Sequence, residues 1–369
     1  GDVIREADRL LDAEPEDTVD QQGQEEILLP SLVWHKKCDI GVISHIVHPE
    51  RTERIATRST IKVSPRIEQP LLVLESGERI VLTTRKNCPV PEGVGGVLYE
   101  TERGSFSWQF HRDLAGQDNP AQWAEKKSQV AESWKRGIRY ASEEVDANGN
   151  VVRSGLRSPQ IGALHAIGAH WSLYSTPATI VMPTGTGKTE TMIAALVGQV
   201  RGTLLVLVPS SPLRAQTVNK FLTLGLLRKL RVIPEDISNP IVGVINHRPR
   251  SEAELEIFDA CHVVVSTMAA VSQGTATDLV PKMAERSSCL VVDEAHHVGA
   301  KSWAAFRDKF HAARVLQFTA TPFRRDGVLV DGDVIYSYPL RRAQEDLYFK
   351  PIRFDPVCEI EPQDADRAI

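Results

Sequence analysis

The sequence TIVMPTGTGKT, at Thr179–Thr189, carries the strongest structural signal in the chain. It begins with a short apolar run, Thr179–Met182, which has the length and composition of a buried strand. Two glycines separated by one residue follow, and Lys188 then opens a segment with helical periodicity, Glu190–Val200. A strand, a glycine-rich turn and a helix in this order predict a phosphate-binding loop.

The chemistry of this loop depends on its backbone and on two side chains. Glycines let the backbone N–H groups curve around phosphate oxygens, and the N-terminus of the helix adds partial positive charge. Lys188 is expected to reach the β- and γ-phosphates, and Thr189 to bind Mg²⁺. Met182 stands where the usual pattern has its first glycine. A plain connecting turn is the alternative. The residues predicted to hold the phosphates are Gly185, Thr186, Gly187, Lys188 and Thr189.

Short apolar runs alternate with helical patterns from Leu156 onward. Continuous runs of Val, Leu and Ile predict strands that are buried on both faces, and their alternation with helices predicts a mostly parallel sheet. Functional residues of such sheets gather beyond the carboxyl ends of the strands. The further runs predicted as strands are Leu204–Val208, Ile241–Ile245, His262–Val265, Leu290–Val292 and Val315–Phe318.

An acidic pair, Asp293 and Glu294, directly follows the predicted strand Leu290–Val292. A carboxylate at the end of a buried strand beside a phosphate loop is placed to hold Mg²⁺, so Asp293 is the metal candidate. Glu294 can polarise an attacking water as a general base. The alternative is an acidic pair that caps the following helix.

With these motifs the chain resembles the superfamily 2 helicases and translocases of the DEAH-box kind, over about Leu156–Leu340. The resemblance is carried by five patterns in the order of that family and by an upstream segment that is similar to its adenine-reading one. The five patterns are MPTGTGKT at Met182–Thr189, VPSSPLRAQ at Val208–Gln216, STM at Ser266–Met268, VVDEAHH at Val291–His297 and FTATPFRRDG at Phe318–Gly327. The last one looks like the extended form found in helicase subunits of restriction enzymes. The upstream segment, LRSPQ at Leu156–Gln160, has Ser-Pro where that family usually has Pro-Tyr.

The resemblance implies a RecA-like P-loop NTPase lobe, of α/β class, that uses ATP and Mg²⁺. It implies that Lys188, Asp293 and Glu294 are catalytic and that Gln160 reads the adenine. It also implies three residues that couple the nucleotide to nucleic acid, namely His296, Thr319 and Thr321. The residues implied to contact one strand of nucleic acid are Ser210, Arg214 and Thr267. Plain helix caps at Ser210 and Thr267, and a solvated helix face at Arg214, are the alternatives.

Composition argues against a membrane protein, a collagen-like fibre and a disulfide scaffold. The chain of 369 residues is 42% hydrophobic and 25% charged, as in globular proteins, and it has no apolar run long enough to cross a bilayer. Its five cysteines form no Cys-x-x-Cys pair, which predicts free thiols in a reducing compartment. The first residues show no pattern of a secretory signal. A cytoplasmic location is therefore expected.

Charge is distributed unevenly along the chain. The first 26 residues hold ten acidic residues and two arginines, so that the rest of the chain is mildly positive although the net charge is −5. We interpret residues 1–26 as an acidic N-terminal segment, either solvated or an interaction tail. Mild positive charge in the remainder permits nucleic-acid binding without indicating it.

The sequence divides into four predicted parts. After residues 1–26 comes a β-rich accessory domain, 27–150, in which Glu75–Gly77 and Glu78 form the turn of a hairpin between two apolar runs. Residues 151–337 form the first RecA-like lobe, and 338–369 a connector toward a second lobe that is missing from the chain. The accessory domain also holds a possible zinc set, His35, Cys38, His45 and His48, with ordinary strand and loop residues as the alternative.

The function expected from the resemblance is that of an ATP-dependent helicase or translocase, represented by its N-terminal portion. DNA is favoured over RNA, and a role in bacterial genome or antiviral defence, or in repair, is suggested by the restriction-type motif. The expected partners are nucleic acid, a second RecA-like lobe in the same or another chain, and a nuclease or defence subunit. Without the arginine of a second lobe, ATP hydrolysis should be slow. The alternative is an ATP-gated clamp or sensor that binds nucleic acid without unwinding it.

Overall fold

The computed structural model describes residues 25–115, 120–135, 137–272, 279–297, 300–311, 313–323, 327 and 329–349. The predicted acidic segment lies outside the described residues except for 25 and 26, as does the predicted connector beyond residue 349. Among the described residues, no helix has both the length and the apolar character needed to cross a membrane.

Strands dominate the first part of the described chain, and helices alternate with strands further along it. The strands are β1 (Glu26–Leu29), β2 (Leu32–Cys38), β3 (Gly41–His48), β4 (Arg51–Ser64), β5 (Ile67–Leu74), β6 (Arg79–Thr83), β7 (Gly96–Glu100), β8 (Phe106–His111), β9 (Glu144–Val145), β10 (Val151–Arg153), β11 (Ala178–Val181), β12 (Leu204–Val208), β13 (Ile241–Ile245), β14 (Val263–Thr267), β15 (Cys289–Val292), β16 (Arg314–Thr319) and β17 (Asp333–Ser337). The helices are α1 (Pro120–Ser133), α2 (Ser158–Leu173), α3 (Lys188–Gln199), α4 (Ser211–Thr223), α5 (Glu256–Ala260), α6 (Met268–Ser272), α7 (Leu279–Glu285), α8 (Ala300–Arg307) and α9 (Leu340–Glu345).

The first of two compact units comprises the described residues 25–32 and 49–115. Its six-stranded sheet has the order β1-β4-β5-β6-β7-β8, and β6 and β7 are its parallel pair. Leu72 and Ile80 belong to a cluster on one face of the sheet, and Leu71 and Val81 to a cluster on the other face. The antiparallel pairing of β5 with β6 confirms the predicted hairpin.

The second unit comprises residues 33–48 and the described residues from 120 onward. Its nine-stranded sheet has the order β17-β11-β16-β15-β12-β14-β13-β3-β2, and β17 through β13 run parallel. The strands β11, β12, β14 and β15 are buried at every position. This unit has the α/β fold of a RecA-like P-loop lobe, with the sheet predicted from the continuous apolar runs.

The division into units differs from the one predicted from the sequence, because residues 33–48 and 120–150 lie in the second unit. Strand β3 extends the sheet by pairing antiparallel to β13, with Ile43 opposite Gly243. A Cβ at Gly41 would lie 1.6 Å from the carbonyl oxygen of Val244, so only glycine permits this approach. Helix α1 is anchored at its C-terminal end by Trp134, the residue that directly follows it, whose Nε1 donates to Ser238 O at 2.9 Å.

The possible zinc set has other contacts. His35 Nδ1 lies 2.8 Å from Ser44 Oγ, and His45 Nδ1 lies 3.3 Å from the carbonyl oxygen of Pro240. Within the part of the chain that the structure describes, no group of three or more His, Cys, Asp or Glu side chains is arranged to hold a metal ion.

Candidate nucleotide site

The turn between β11 and α3 has the backbone that a phosphate cradle requires. Gly185 and Gly187 have φ angles of +86° and +93°, in the left-handed region that favours glycine. Thr186 is buried, and its hydroxyl donates to Pro183 O at 2.6 Å. A Cβ at Gly187 would lie 2.2 Å from Gln160 Nε2. The turn is therefore fixed in a conformation in which another residue at 187 would be strained.

Lys188, the first residue of α3, faces the acidic pair across the sheet edge. Its Nζ donates to Glu294 Oε1 at 2.6 Å, and the two side chains are 8% and 17% exposed. This ion pair joins residues 106 positions apart, because β11 and β15 end at the same edge of the sheet. The structure thus brings together the lysine and the carboxylate that the motifs indicated separately.

Glu294 has a constrained backbone as well as a paired side chain. Its φ angle is +51°, which is uncommon for a residue with a side chain and costs free energy. Its N–H donates to Asp293 Oδ1 at 3.0 Å, and its Oε2 lies 3.4 Å from His296 Nδ1. The sequence contains no signal of this conformation, since glutamate has no preference for the left-handed region.

Asp293 occupies an environment that disfavours its charge. Burial, together with the neighbouring Glu294 carboxylate, raises the pKa of Asp293 to about 6, and Lys188 opposes this rise. A divalent cation beside the carboxylate would offset the cost of its charge. Asp293 and Thr189 border the same cavity and offer the oxygen donors that Mg²⁺ takes, usually with substrate phosphates as further ligands. These residues fit a Mg²⁺ ion.

The cavity at this edge has a volume of about 470 Å³. It is bordered by the phosphate loop and the acidic pair, and also by residues that the motifs did not indicate. Those include Glu143, Glu190 and Lys220, and Gln216, the last residue of the VPSSPLRAQ pattern, also borders the cavity. Sequence reasoning missed Glu143, Glu190 and Lys220 because isolated polar residues on helices and loops are usually solvated, and their approach to the loop depends on the tertiary fold.

Gln160 braces the phosphate loop. It is 3% exposed, its Nε2 donates to Gly187 O at 3.2 Å, and its Oε1 accepts from the N–H of Arg157 at 2.8 Å. The guanidinium of Arg157 in turn donates to Gly185 O at 3.1 Å. Both ends of the carboxamide are thus engaged, and the reading of adenine by Gln160 stays a prediction.

The three residues implied to couple nucleotide and nucleic acid form a connected set. His296 Nδ1 lies 3.0 Å from Thr319 Oγ1, and the Thr319 hydroxyl donates to Thr321 O at 2.6 Å. Because His296 also approaches Glu294, the set reaches from the nucleotide cavity to the turn after β16. The coupling itself stays a prediction.

The three residues implied to contact nucleic acid lie at or just beyond the carboxyl ends of β12 and β14, which are neighbours with Val208 opposite Thr267. Ser210 is the N-cap residue of α4, and its side chain makes no capping hydrogen bond. Arg214 donates to Ile245 O at 3.0 Å, and burial lowers its pKa. Thr267 Oγ1 accepts from the N–H of Ala270 at 3.3 Å, which is the helix-cap contact named as the alternative.

The sheet, the phosphate loop and the acidic pair define a RecA-like P-loop lobe. Residues 153–324 match the family described as "Type III restriction enzyme, res subunit". These residues are therefore a superfamily 2 helicase-like region. No curated protein matches the chain.

Three solved structures illustrate the structural similarity. The UvsW helicase from bacteriophage T4 is 14% identical, with coverage of 56% of this chain and 61% of that one and a TM-score of 0.31. The Hef helicase domain of Pyrococcus furiosus is 24% identical, with coverage of 52% and 38% and a TM-score of 0.30. The ATP-dependent type ISP restriction-modification enzyme LlaBIII bound to DNA is 15% identical, with coverage of 79% and 23% and a TM-score of 0.34. This chain thus spans less than two thirds of each of these proteins.

Proposed function

We propose that the chain is the nucleotide-binding portion of an ATP-dependent nucleic-acid helicase or translocase. The observation that carries the proposal is the 2.6 Å pair of Lys188 with Glu294 at the wall of the cavity. A lysine at the start of a helix after a glycine turn, opposite a carboxylate at the end of a parallel strand, is suited to hold a triphosphate and to activate water on it.

In this proposal each group of the cavity has one role. The N–H groups of the loop and the N-terminus of α3 hold the phosphates. Lys188 leaves Glu294 for the β- and γ-phosphates, which frees the carboxylate to accept a proton from the attacking water. Thr189 and Asp293 would hold Mg²⁺, which when bound supplies positive charge beside the phosphate oxygens.

Nucleic acid is proposed to bind along the carboxyl edge of β12 and β14, through the backbone phosphates of one strand. Ser210 supports this, because its hydroxyl makes no capping bond, and Arg214 supports it because the guanidinium has donors beyond the one given to Ile245. We favour DNA over RNA as the nucleic acid. We further propose a second RecA-like lobe, in the same or another chain, as a partner. The proposed role is in genome defence, together with a nuclease or defence subunit. The match to a restriction-enzyme family supports that setting.

The test measures ATP hydrolysis with and without single-stranded DNA or RNA, together with strand displacement from a partial duplex. We expect ATP binding, hydrolysis that rises with DNA, and displacement or translocation when the second lobe is present. If DNA stimulates ATP hydrolysis but no strand is displaced and no translocation is seen, the result would favour the ATP-gated clamp. A chain that binds no ATP analogue, with Lys188→Ala indistinguishable from wild type, would overturn the proposal.

A further inference from the structure

Glu190 is an unexpected charge for a site that binds a polyanion. It lies two residues after Lys188 in the first turn of α3, borders the nucleotide cavity, and has a side chain that is only 10% exposed. A buried carboxylate beside a phosphate loop repels phosphate and needs a compensating cation. The cation is Lys220, whose Nζ lies 3.2 Å from Glu190 Oε1.

Lys220 reaches the cavity from another element. It lies in the last turn of α4, and Gln216, one turn earlier on the same face of that helix, also borders the cavity. The side chain of Lys220 is 35% exposed, so it is less confined than the carboxylate that it pairs with. A lysine ammonium is a compact charge on a flexible stem and can change partners with little movement of the backbone.

Lys220 borders the same cavity as the phosphate loop and Asp293, the residue that fits the metal. Glu143 and Arg157, which precede α2 in the chain, border this cavity as well. The 3.2 Å contact of Lys220 with Glu190 joins the ammonium to the first turn of α3, which directly follows the phosphate loop. The ammonium is therefore within the cavity that is proposed to hold the phosphates.

We propose that Lys220 is a second phosphate-binding lysine, held by Glu190 until the terminal phosphate of a nucleoside triphosphate replaces that carboxylate. The proposal rests on the proposed function, since it requires that the cavity binds nucleotide. A diphosphate lacks the terminal group and leaves the pair with Glu190 intact. Lys220 thus distinguishes triphosphate from diphosphate, and it does so from the helix that also carries Arg214.

The test compares dissociation constants of a non-hydrolysable ATP analogue and of ADP, both with Mg²⁺. In Lys220→Met, affinity for the analogue should fall by about tenfold, the value of a hydrogen bond to a charged group, while affinity for ADP stays within twofold. In Glu190→Gln, the analogue should bind several-fold more tightly because Lys220 is released. The double variant should regain part of the affinity lost in Lys220→Met, because Glu190 no longer repels phosphate, but it should not regain the preference for triphosphate. Lys220→Arg should keep that preference.

Lys229→Met is the matched control, because Lys229 is exposed and does not border the cavity. It should leave both dissociation constants unchanged. Equal losses for ADP and the analogue in Lys220→Met would overturn the proposal, since Lys220 would then only neutralise Glu190. If Lys220→Met does not fold, Glu190→Gln alone tests the proposal. An affinity of Glu190→Gln for the ATP analogue equal to that of the wild type would then overturn it. Failure of the proposed function would give a different result from failure of this proposal, because the wild-type chain would then bind neither the ATP analogue nor ADP.

Discussion

Glu294 combines a left-handed backbone with an ion pair to Lys188, so the carboxylate is occupied before any nucleotide arrives. In the proposed function this carboxylate is the base, and it becomes available only after the lysine has moved to the phosphates. On that proposal the pairing withholds the base until nucleotide binds. ATP binding should accordingly depend on the ammonium of Lys188, and ATP turnover on the carboxylate of Glu294.

The substitution Glu294→Gln should retain nucleotide binding and reduce turnover by about 10²- to 10⁴-fold, because the amide cannot accept the proton of the attacking water. Phosphate release and fluorescent-nucleotide titration measure the two effects separately. Glu285→Gln, an exposed glutamate on α7, is the control and should change neither. Unchanged turnover in Glu294→Gln would sink the assignment of the base.

Lys188→Ala should weaken ATP binding by about 10- to 150-fold, because it removes a charged hydrogen-bond donor from the phosphates. It also leaves Glu294 and Asp293 together without their cation, which adds to the repulsion of phosphate. Titration with a fluorescent ATP analogue measures the loss. Affinity equal to that of wild type would contradict the role of Lys188.

The residues of the site differ in how far the sequence could predict them. The common position of Lys188, Thr189, Asp293 and Glu294 at one cavity was predictable, because each lies in a local pattern at the carboxyl end of a buried strand. The positions of Glu190, Lys220 and Glu143 were not, since each residue reaches the cavity through packing between elements that are distant in sequence. Local patterns fix backbone geometry, whereas the neighbours of a side chain depend on the assembled sheet.

The same limit holds for strands and helices. Strands β12 and β13 have the predicted bounds, because buried parallel strands appear as continuous apolar runs. Strand β3 could not be assigned to this sheet, since its partner β13 lies about 200 residues further along the chain. Helix α1 is likewise held by residues that are distant in sequence, since Lys127 Nζ donates to Thr203 Oγ1 and to Asp259 O. Such pairings leave no periodicity in the sequence.

The pairing of β3 with β13 should depend on Gly41. In Gly41→Ala the new Cβ would overlap the carbonyl oxygen of Val244, so we expect destabilisation by at least about 2 kcal/mol. Gly168→Ala is the matched control, because its Cβ would have ordinary contacts in α2 and the change favours helix by about 1 kcal/mol. Urea denaturation measures both, and equal stabilities of Gly41→Ala and wild type would contradict the observed pairing.

Two buried histidines, His262 beside helix α1 and His45, should make the stability of the protein sensitive to acid. His262 Nδ1 accepts from the N–H of Ile241 at 3.1 Å, and its Nε2 donates to Lys127 O at 2.9 Å, so the ring is neutral. Burial lowers the pKa of His262 to about 3 and that of His45 to about 4. Between about pH 6.5 and about pH 4 the unfolded chain binds a proton on each of these two rings, while the folded chain does not.

The free energy of unfolding should therefore fall as the pH is lowered from 7.5, by about 2 kcal/mol for each of the two histidines at pH 5. Urea denaturation at the two pH values measures the loss. In His262→Gln, whose amide can accept and donate in place of the ring, the loss should be about 2 kcal/mol smaller. His165→Gln, at an exposed position, should change nothing. A loss unaffected by His262→Gln would contradict the neutral buried ring.

For the molecule as a whole, the negative charge is concentrated in residues 1–26 and the remainder is mildly positive, so binding of nucleic acid depends on where the cations lie at the edges of the sheet. The carboxyl edge offers Arg214, and the amino edge offers Arg201, which precedes β12. We expect weak binding of single strands without sequence preference, and affinity that falls as salt rises.

In Arg214→Ala the slope of log K against log salt should shrink by about 0.7, the value for one phosphate contact on a single strand. Arg201→Ala should leave the slope unchanged, since that arginine lies at the opposite edge. Fluorescence anisotropy over a salt series measures both variants, and equal slopes in Arg214→Ala and wild type would show that the strand binds elsewhere.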